Sequence, residues 1–175
     1  MSKNVGHIRD AGEMILRLTV CFALAAASAV AIWWFVEDRA AFVSYFENNL
    51  RGNLFAGFLT VGGFLLSLKT FILIKLKESV YDHTEYRATF EQMKELDSSL
   101  EIYAPLQKLS GFLFYSVLSS ILAAIAQLTL GLVGSFWTSL IALFLSVFAI
   151  VVLLVSLFLI KSSLNDYFDF INKES

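Results

Sequence analysis

Four stretches of the chain, residues 15–36, 54–74, 109–133 and 136–160, carry almost no charge, and each is long enough to cross a bilayer. Crossing takes about 20 consecutive apolar residues in a helix, because every backbone N–H and C=O must find its partner within the segment once water is excluded. A core helix of a globular domain rarely carries so long an unbroken run. The expected fold class is therefore all-α, an integral membrane bundle of four transmembrane helices. With 58% hydrophobic residues in 175 positions, little remains for a soluble domain. Function is expected in, across or just beneath a membrane.

Orientation follows from the cations, since Lys and Arg near span ends stay on the cytoplasmic side. Lys3, Arg9 and Arg17 precede or open span one; Lys69, Lys75, Lys77, Arg87, Lys94 and Lys108 cluster around the connection between spans two and three; Lys161 and Lys173 follow span four. Only Arg39 and Arg51 fall on the other side, so eleven of thirteen cations agree. Both termini and the central connection are expected in the cytoplasm. Trp33, Trp34 and Trp137 then all lie at the outer interface, where amphipathic indoles belong. Span one imitates a signal peptide in its basic start and its small residues Ala27, Ser28 and Ala29. Its apolar run continues past them through Phe35, too long for a signal core, and it is expected to be a retained helix. The single cysteine, Cys21, lies inside that span, so no disulfide forms within one chain.

The outer connection between spans one and two has Phe42, Tyr45, Phe46 and Leu50 at helical spacing, which predicts a short amphipathic helix at headgroup level. The second outer connection, Gly131 to Ser135, holds two glycines and no charge, which predicts a tight hairpin. On the cytoplasmic side, residues 76–107 form a charged helical segment. There Tyr86, Phe90, Met93, Leu96, Leu100 and Tyr103 recur at steps of three and four, the period of an amphipathic helix, ended by Ala104-Pro105. Its polar face carries Glu91, Glu95, Asp97 and Glu101 against Lys94. From Glu78 to Ala104 there are seven acids and two bases. A helix seeking anionic lipid would be basic, so Tyr86, Phe90, Glu91, Glu95, Leu96 and Asp97 are candidates for binding a cytosolic protein partner. The tail, residues 161–175, repeats the pattern with Leu164, Phe168 and Ile171. Packing of the two segments on each other beneath the bilayer is the alternative reading.

Hydrophobicity does not drive helices together in lipid, so packing faces are sought among small and polar residues. Span four offers Ser139, Ala142, Ser146, Ala149 and Ser156, with Leu153 in the gap; span two offers Gly52, Ala56, Thr60, Gly63 and Ser67; span one is rich in alanine from Ala23 to Ala31. These stripes suffice for a four-helix unit and for a homo-oligomer interface, without saying which serves which. Span three is the most polar, with Ser116, Ser120, Ala124, Gln127, Gly131 and Gly134 on one side. Ser116, Ser120 and Gln127 can line a pore, or can hydrogen-bond to neighbouring helices as such residues ordinarily do.

No Asp or Glu occurs within the four spans, which disfavours a proton-coupled carrier with an ionisable group at the midplane. Lys69 is the one charge well inside a span and is expected to snorkel, as is Arg17. The two histidines, His7 and His83, flank different spans and lack ligand partners at metal spacing. No nucleophile motif, phosphate loop or nucleic-acid-reading motif is present. The chain is expected to be no enzyme, to use no cofactor or metal, and to bind no nucleic acid directly.

Gly52-Asn53-Leu54-Phe55-Ala56-Gly57-Phe58-Leu59, then Gly62-Gly63-Phe64-Leu65-Leu66 and a basic exit at Lys75 to Lys77, resembles small multi-span proteins of bacterial phage-defence operons, of the type of the membrane subunit of the Kiwa system. The resemblance covers span two and the four-span plan. It implies an antiviral, homo-oligomeric sensor of the inner membrane that recruits a cytosolic DNA-binding partner; no site residue transfers with it. Two readings follow for function: a non-enzymatic membrane subunit presenting a helical platform to a partner, and a pore or ion channel.

Overall fold

The computed structural model describes residues 3–78, 82, 84–96 and 102–174. Among them the chain is built of helices with no strand: α1 Lys3–Phe35, α2 Arg39–Tyr45, α3 Arg51–Leu76, α4 Thr84–Leu96, α5 Ala104–Thr129 and α6 Phe136–Glu174. A π-helical turn, Phe46–Leu50, runs α2 into α3, and a 3-10 turn, Leu130–Leu132, closes α5. Four segments are long and apolar enough to cross a membrane: Met14–Phe35, Arg39–Lys75, Leu109–Leu132 and Phe136–Ser162. The protein is an integral membrane protein by that measure.

The first, third and fourth spans fall where the apolar runs place them, and the second is longer than its run. Its 37 residues reach about 55 Å at about 1.5 Å per residue, against about 30 Å of hydrocarbon. Helix packing explains the excess. The extensive contacts between long helices are α1 on α6, α6 on α5 and α5 on α3, so the spatial order is α1–α6–α5–α3. The chain must therefore pass from α1 to α3 across the ends of α6 and α5, and α2 makes that crossing. Asp38 starts it by capping α2, accepting from the Ala40 and Ala41 amides at 3.0 Å each, as a short acidic side chain does for orphan N–H groups. Phe42 then packs edge-on against Phe136, the first residue of α6. Phe46 is fully buried and reaches Gly131 at the end of α5. The expected headgroup-level helix is thus present as helix but turned to protein, with Tyr45 facing outward at 58% exposure.

A second boundary also differs from expectation. Ala104-Pro105 opens α5 instead of ending the helix before it, because proline in a first turn gives up an N–H that has no partner there anyway. Tyr103 becomes the N-cap residue of α5. The hairpin between α5 and α6 is tight as expected, with Gly134 at φ +66°, a backbone state that L side chains resist. The tail continues α6 to Glu174 as one helix; the side chains of Leu164, Phe168 and Ile171 lie outside the description.

Three apolar clusters fill the contacts. Leu109, Leu113 and Ile160 meet Ile72 toward the end that carries α4. Cys21 of α1 packs with Phe112 and Val152. Phe58 of α3 packs with Ala123, Ala124 and Ala149. The small-residue stripe of span four is wholly buried: Ser139, Ala142, Ser146, Ala149 and Ser156 are the face on which α6 receives its neighbours. The corresponding stripe of span two is not. Gly52, Ala56, Thr60, Gly63 and Ser67 all face outward, and α3 packs instead through Phe58, Gly62 and Leu65. Gly62 has a local reason, since an added Cβ would sit 3.4 Å from the Ser120 Cβ.

Candidate functional site

Three places in the fold gather polar chemistry, and the first is the contact between α5 and α6. Ser116, Ser120 and Gln127 are completely buried. Ser116 and Ser156 hydrogen-bond through their hydroxyls across the contact. The Ser119 and Ser120 hydroxyls donate back to Ser116 O at 3.0 and 2.9 Å. Gln127 Nε2 donates to Ala142 O at 3.1 Å and to Ser146 Oγ at 2.8 Å. The period-three-and-four stripe of span three therefore meets the small stripe of span four, polar group to polar group. Within one chain Ser116 and Gln127 of this face meet α6, while Ser120 and Ala124 lie against Gly62 and Phe58 of α3. Two atoms stay without a partner among the described residues, Gln127 Oε1 and Ser139 Oγ.

The second place is the α4 side. Asp82 accepts from Arg87 Nη2 and from the Tyr103 hydroxyl, both at 2.8 Å, and Lys77 Nζ lies 3.8 Å from it. One carboxylate thereby ties the end of α3, the first turns of α4 and the cap of α5. The Tyr103 hydroxyl and the Arg87 guanidinium hold the Asp82 carboxyl below its ordinary range, and the same contacts raise Arg87. Beyond this tie α4 exposes Glu91, Gln92, Lys94 and Glu95, with Phe90 half-buried. Tyr86 and Leu96 fall on α4 with side chains outside the description, and Asp97 lies outside the described residues. Lys69, on α3 near this side, sits over the Phe114 ring of α5 at 5.2 Å from its centroid, so it is held by a cation–π contact.

The third place lies at the opposite end, around the α2 crossing. A recess of about 410 Å³ is lined by Arg39, Ala40, Val43, Ser44, Glu47, Gly134 and Phe136. The Arg39 guanidinium lies over the Phe136 ring, 5.0 Å from its centroid. Deeper in, Arg51 Nη1 donates to Gly131 O at 3.1 Å. Sequence reasoning placed Arg39 and Arg51 only as outer charges. What it lacked was the packing order that brings α2 over Phe136 and Gly131. The Asp82, Arg87 and Tyr103 tie was hidden likewise, because Tyr103 was read as a residue of the preceding helix.

Among the described residues no three His, Cys, Asp or Glu side chains gather as a metal site would require. Neither a family model nor a curated protein nor a solved structure matches the chain.

Proposed function

We propose that the chain is a non-enzymatic, oligomeric membrane subunit that presents the α4 segment to a cytosolic protein partner, with both termini on the cytoplasmic side. The observation that carries this reading is the division of polar groups. Ser116, Gln127, Ser146 and Ser156 inside the spans make helix–helix contacts, while Glu91, Lys94 and Glu95 stand exposed on α4, whose first turns are anchored through Asp82. Acidic Glu91 and Glu95 suit a basic partner surface. The cation distribution supports the cytoplasmic placement.

Oligomerisation is supported by α3. Glycine in a helix costs about 1 kcal/mol relative to alanine, and no atom lies within 4 Å of a Cβ built at Gly52, Gly57 or Gly63. No contact among the described residues explains those glycines, whereas close approach of a second copy does. The resemblance of this stretch to phage-defence membrane subunits is what suggests a partner-recruiting role in antiviral defence at a bacterial inner membrane.

The test is co-purification of the membrane protein with partners from its native cell. Reversal of Glu91 and Glu95 to Lys should abolish the association and leave insertion intact, and raised salt should weaken it in the unmodified protein. Undiminished association in the double reversal refutes the adaptor reading. A pore or ion channel is the second reading, favoured by the unpartnered Gln127 Oε1 and Ser139 Oγ within the bundle. Ion flux in liposomes that vanishes on Gln127 substitution would establish it.

A further inference from the structure

We propose that the recess beneath α2 binds a zwitterionic phosphoethanolamine headgroup, the polar part of a membrane lipid, independently of whether α4 recruits a partner. Depth is the first argument. Trp34, Phe35 and Trp137 are exposed at this end of the spans, the aromatic arrangement of the headgroup layer. Phe136, the floor of the recess, adjoins Trp137. Exposed Leu132 and Val133 flank it beside Gly134, an apolar surface for acyl chains.

Charge is the second argument. Arg39 and Glu47 line the same recess, and neither takes part in the ion pairs found among the described residues. The Arg39 guanidinium lies over the Phe136 ring, 5.0 Å from its centroid, and its N–H fork is the kind of group that grips a phosphate. Glu47 is drawn against the hairpin: a Cβ at Gly134 would stand 3.4 Å from Glu47 Oε1. Asp38 Oδ1 accepts from the Ala40 and Ala41 amides, and Glu47 is the carboxylate that lines the recess and can receive a cation. Ser44 adds a hydroxyl between them in sequence.

Net charge is the third. Between residues 36 and 53 stand the acids Glu37, Asp38 and Glu47 and the bases Arg39 and Arg51, three against two. A purely anionic headgroup meets no excess of positive charge here. A headgroup with a phosphate for Arg39 and a primary ammonium for Glu47 satisfies both sides. A choline headgroup carries the same charges but has no N–H to donate to the carboxylate.

The test uses the full chain in nanodiscs that contain equal parts of phosphatidylethanolamine, phosphatidylcholine and phosphatidylglycerol with identical acyl chains. Native mass spectrometry then reads which lipid stays on the ejected protein. The ethanolamine lipid should be retained about tenfold over the other two, the scale of one charge-assisted hydrogen bond. Glu47→Gln should bring it level with the choline lipid, Arg39→Gln should lower both, and Glu91→Gln should change nothing. Ser44→Leu, which fills the recess without touching either charge, should have the same effect as Arg39→Gln. Free phosphoethanolamine added to the protein in detergent separates the sources: protection from heat without lipid retention assigns the site to a soluble ligand of the same chemistry. Equal retention of the three lipids with no such protection, or a preference that survives Arg39→Gln and Glu47→Gln, overturns the proposal.

Discussion

Gln127 Nε2 donates to Ser146 Oγ at 2.8 Å, joining α5 to α6 in the interior of the spans. Hydrogen bonds between membrane helices are worth about 0.6 kcal/mol on average and up to about 1.7. Gln127→Leu removes the donors but keeps most of the volume, and should shift thermal stability in detergent by less than about 1 kcal/mol. Ser146→Leu forces a large side chain into a face that is 1% exposed, and overpacking of that kind costs about 1–3 kcal/mol. The order of the two melting temperatures checks the assignment of this face to packing.

Gly131 carries a steric demand. A Cβ there would lie 3.0 Å from Arg51 Cδ and 3.3 Å from Arg51 Cγ. Gly131→Ala should push the Arg51 side chain aside and break its bond to the Gly131 carbonyl, lowering stability by about 1 kcal/mol. Arg51→Met should remove the same bond while sparing the backbone, and the double variant should lose less than the sum. Strict additivity would mean that the two residues do not share one interaction.

The tie at Asp82 is pH-dependent, and its direction is set by a lowered carboxyl pKa. Its contribution is present above the unfolded carboxyl pKa, about 3.9, and is lost as pH falls through the lower value of the folded protein. The protection of α4 amides, taken relative to intrinsic exchange at each pH, should therefore be unchanged from pH 7 to about pH 5 and should fall below about pH 4. Asp82→Asn should exchange fast at every pH. An exchange profile of Asp82→Asn that matches the unmodified protein would remove Asp82 from the anchoring of α4.

Alanines of α1 divide sharply by face. Ala25 is fully buried, whereas Ala27 is exposed. Ala25→Leu should loosen α1 from α6 at a cost of about 1–3 kcal/mol, and Ala27→Leu should be neutral within about 0.5 kcal/mol. Cross-linking between α1 and α6 in the membrane reads the difference directly.

Sidedness is open to labelling. With Cys21 replaced, cysteines introduced at exposed Asn48 and Ser162 should react from opposite sides of sealed vesicles, Ser162 from the cytoplasmic one. Labelling of both from one side would overturn the orientation inferred from the cations.

The spans were legible because backbone satisfaction in lipid demands long apolar runs, and Leu109 to Leu132 or Phe136 to Ser162 advertise themselves by composition. The stripe Ser139, Ala142, Ser146, Ala149 and Ser156 was legible as a packing face for the same kind of reason: small residues at helical spacing admit a neighbour. Its partner was not legible, since Gln127 and Ser116 suit a pore wall as well as a seam until α6 is seen against them. Gly52, Ala56, Thr60, Gly63 and Ser67 look equally like a packing face and point outward. Nor could spacing tell that Phe46 buries itself against Gly131, because that contact depends on which helices are neighbours, a property of the whole chain.

The spatial order α1–α6–α5–α3 sets a timetable for biogenesis. Synthesis runs from α1 toward α6, and α1 has its main seat on α6, so most of that contact must wait until Phe136 and the residues after it have been inserted. By then α3 and α5 can already have paired, and the late arrival of α6 joins a finished pair to a solitary helix. A ribosome stalled before α6 would leave α1 as an orphan segment, the kind of exposed surface that membrane quality-control proteases survey. Expression of residues 1–135 and 136–175 as two fragments should then restore α1 packing only when both are made together.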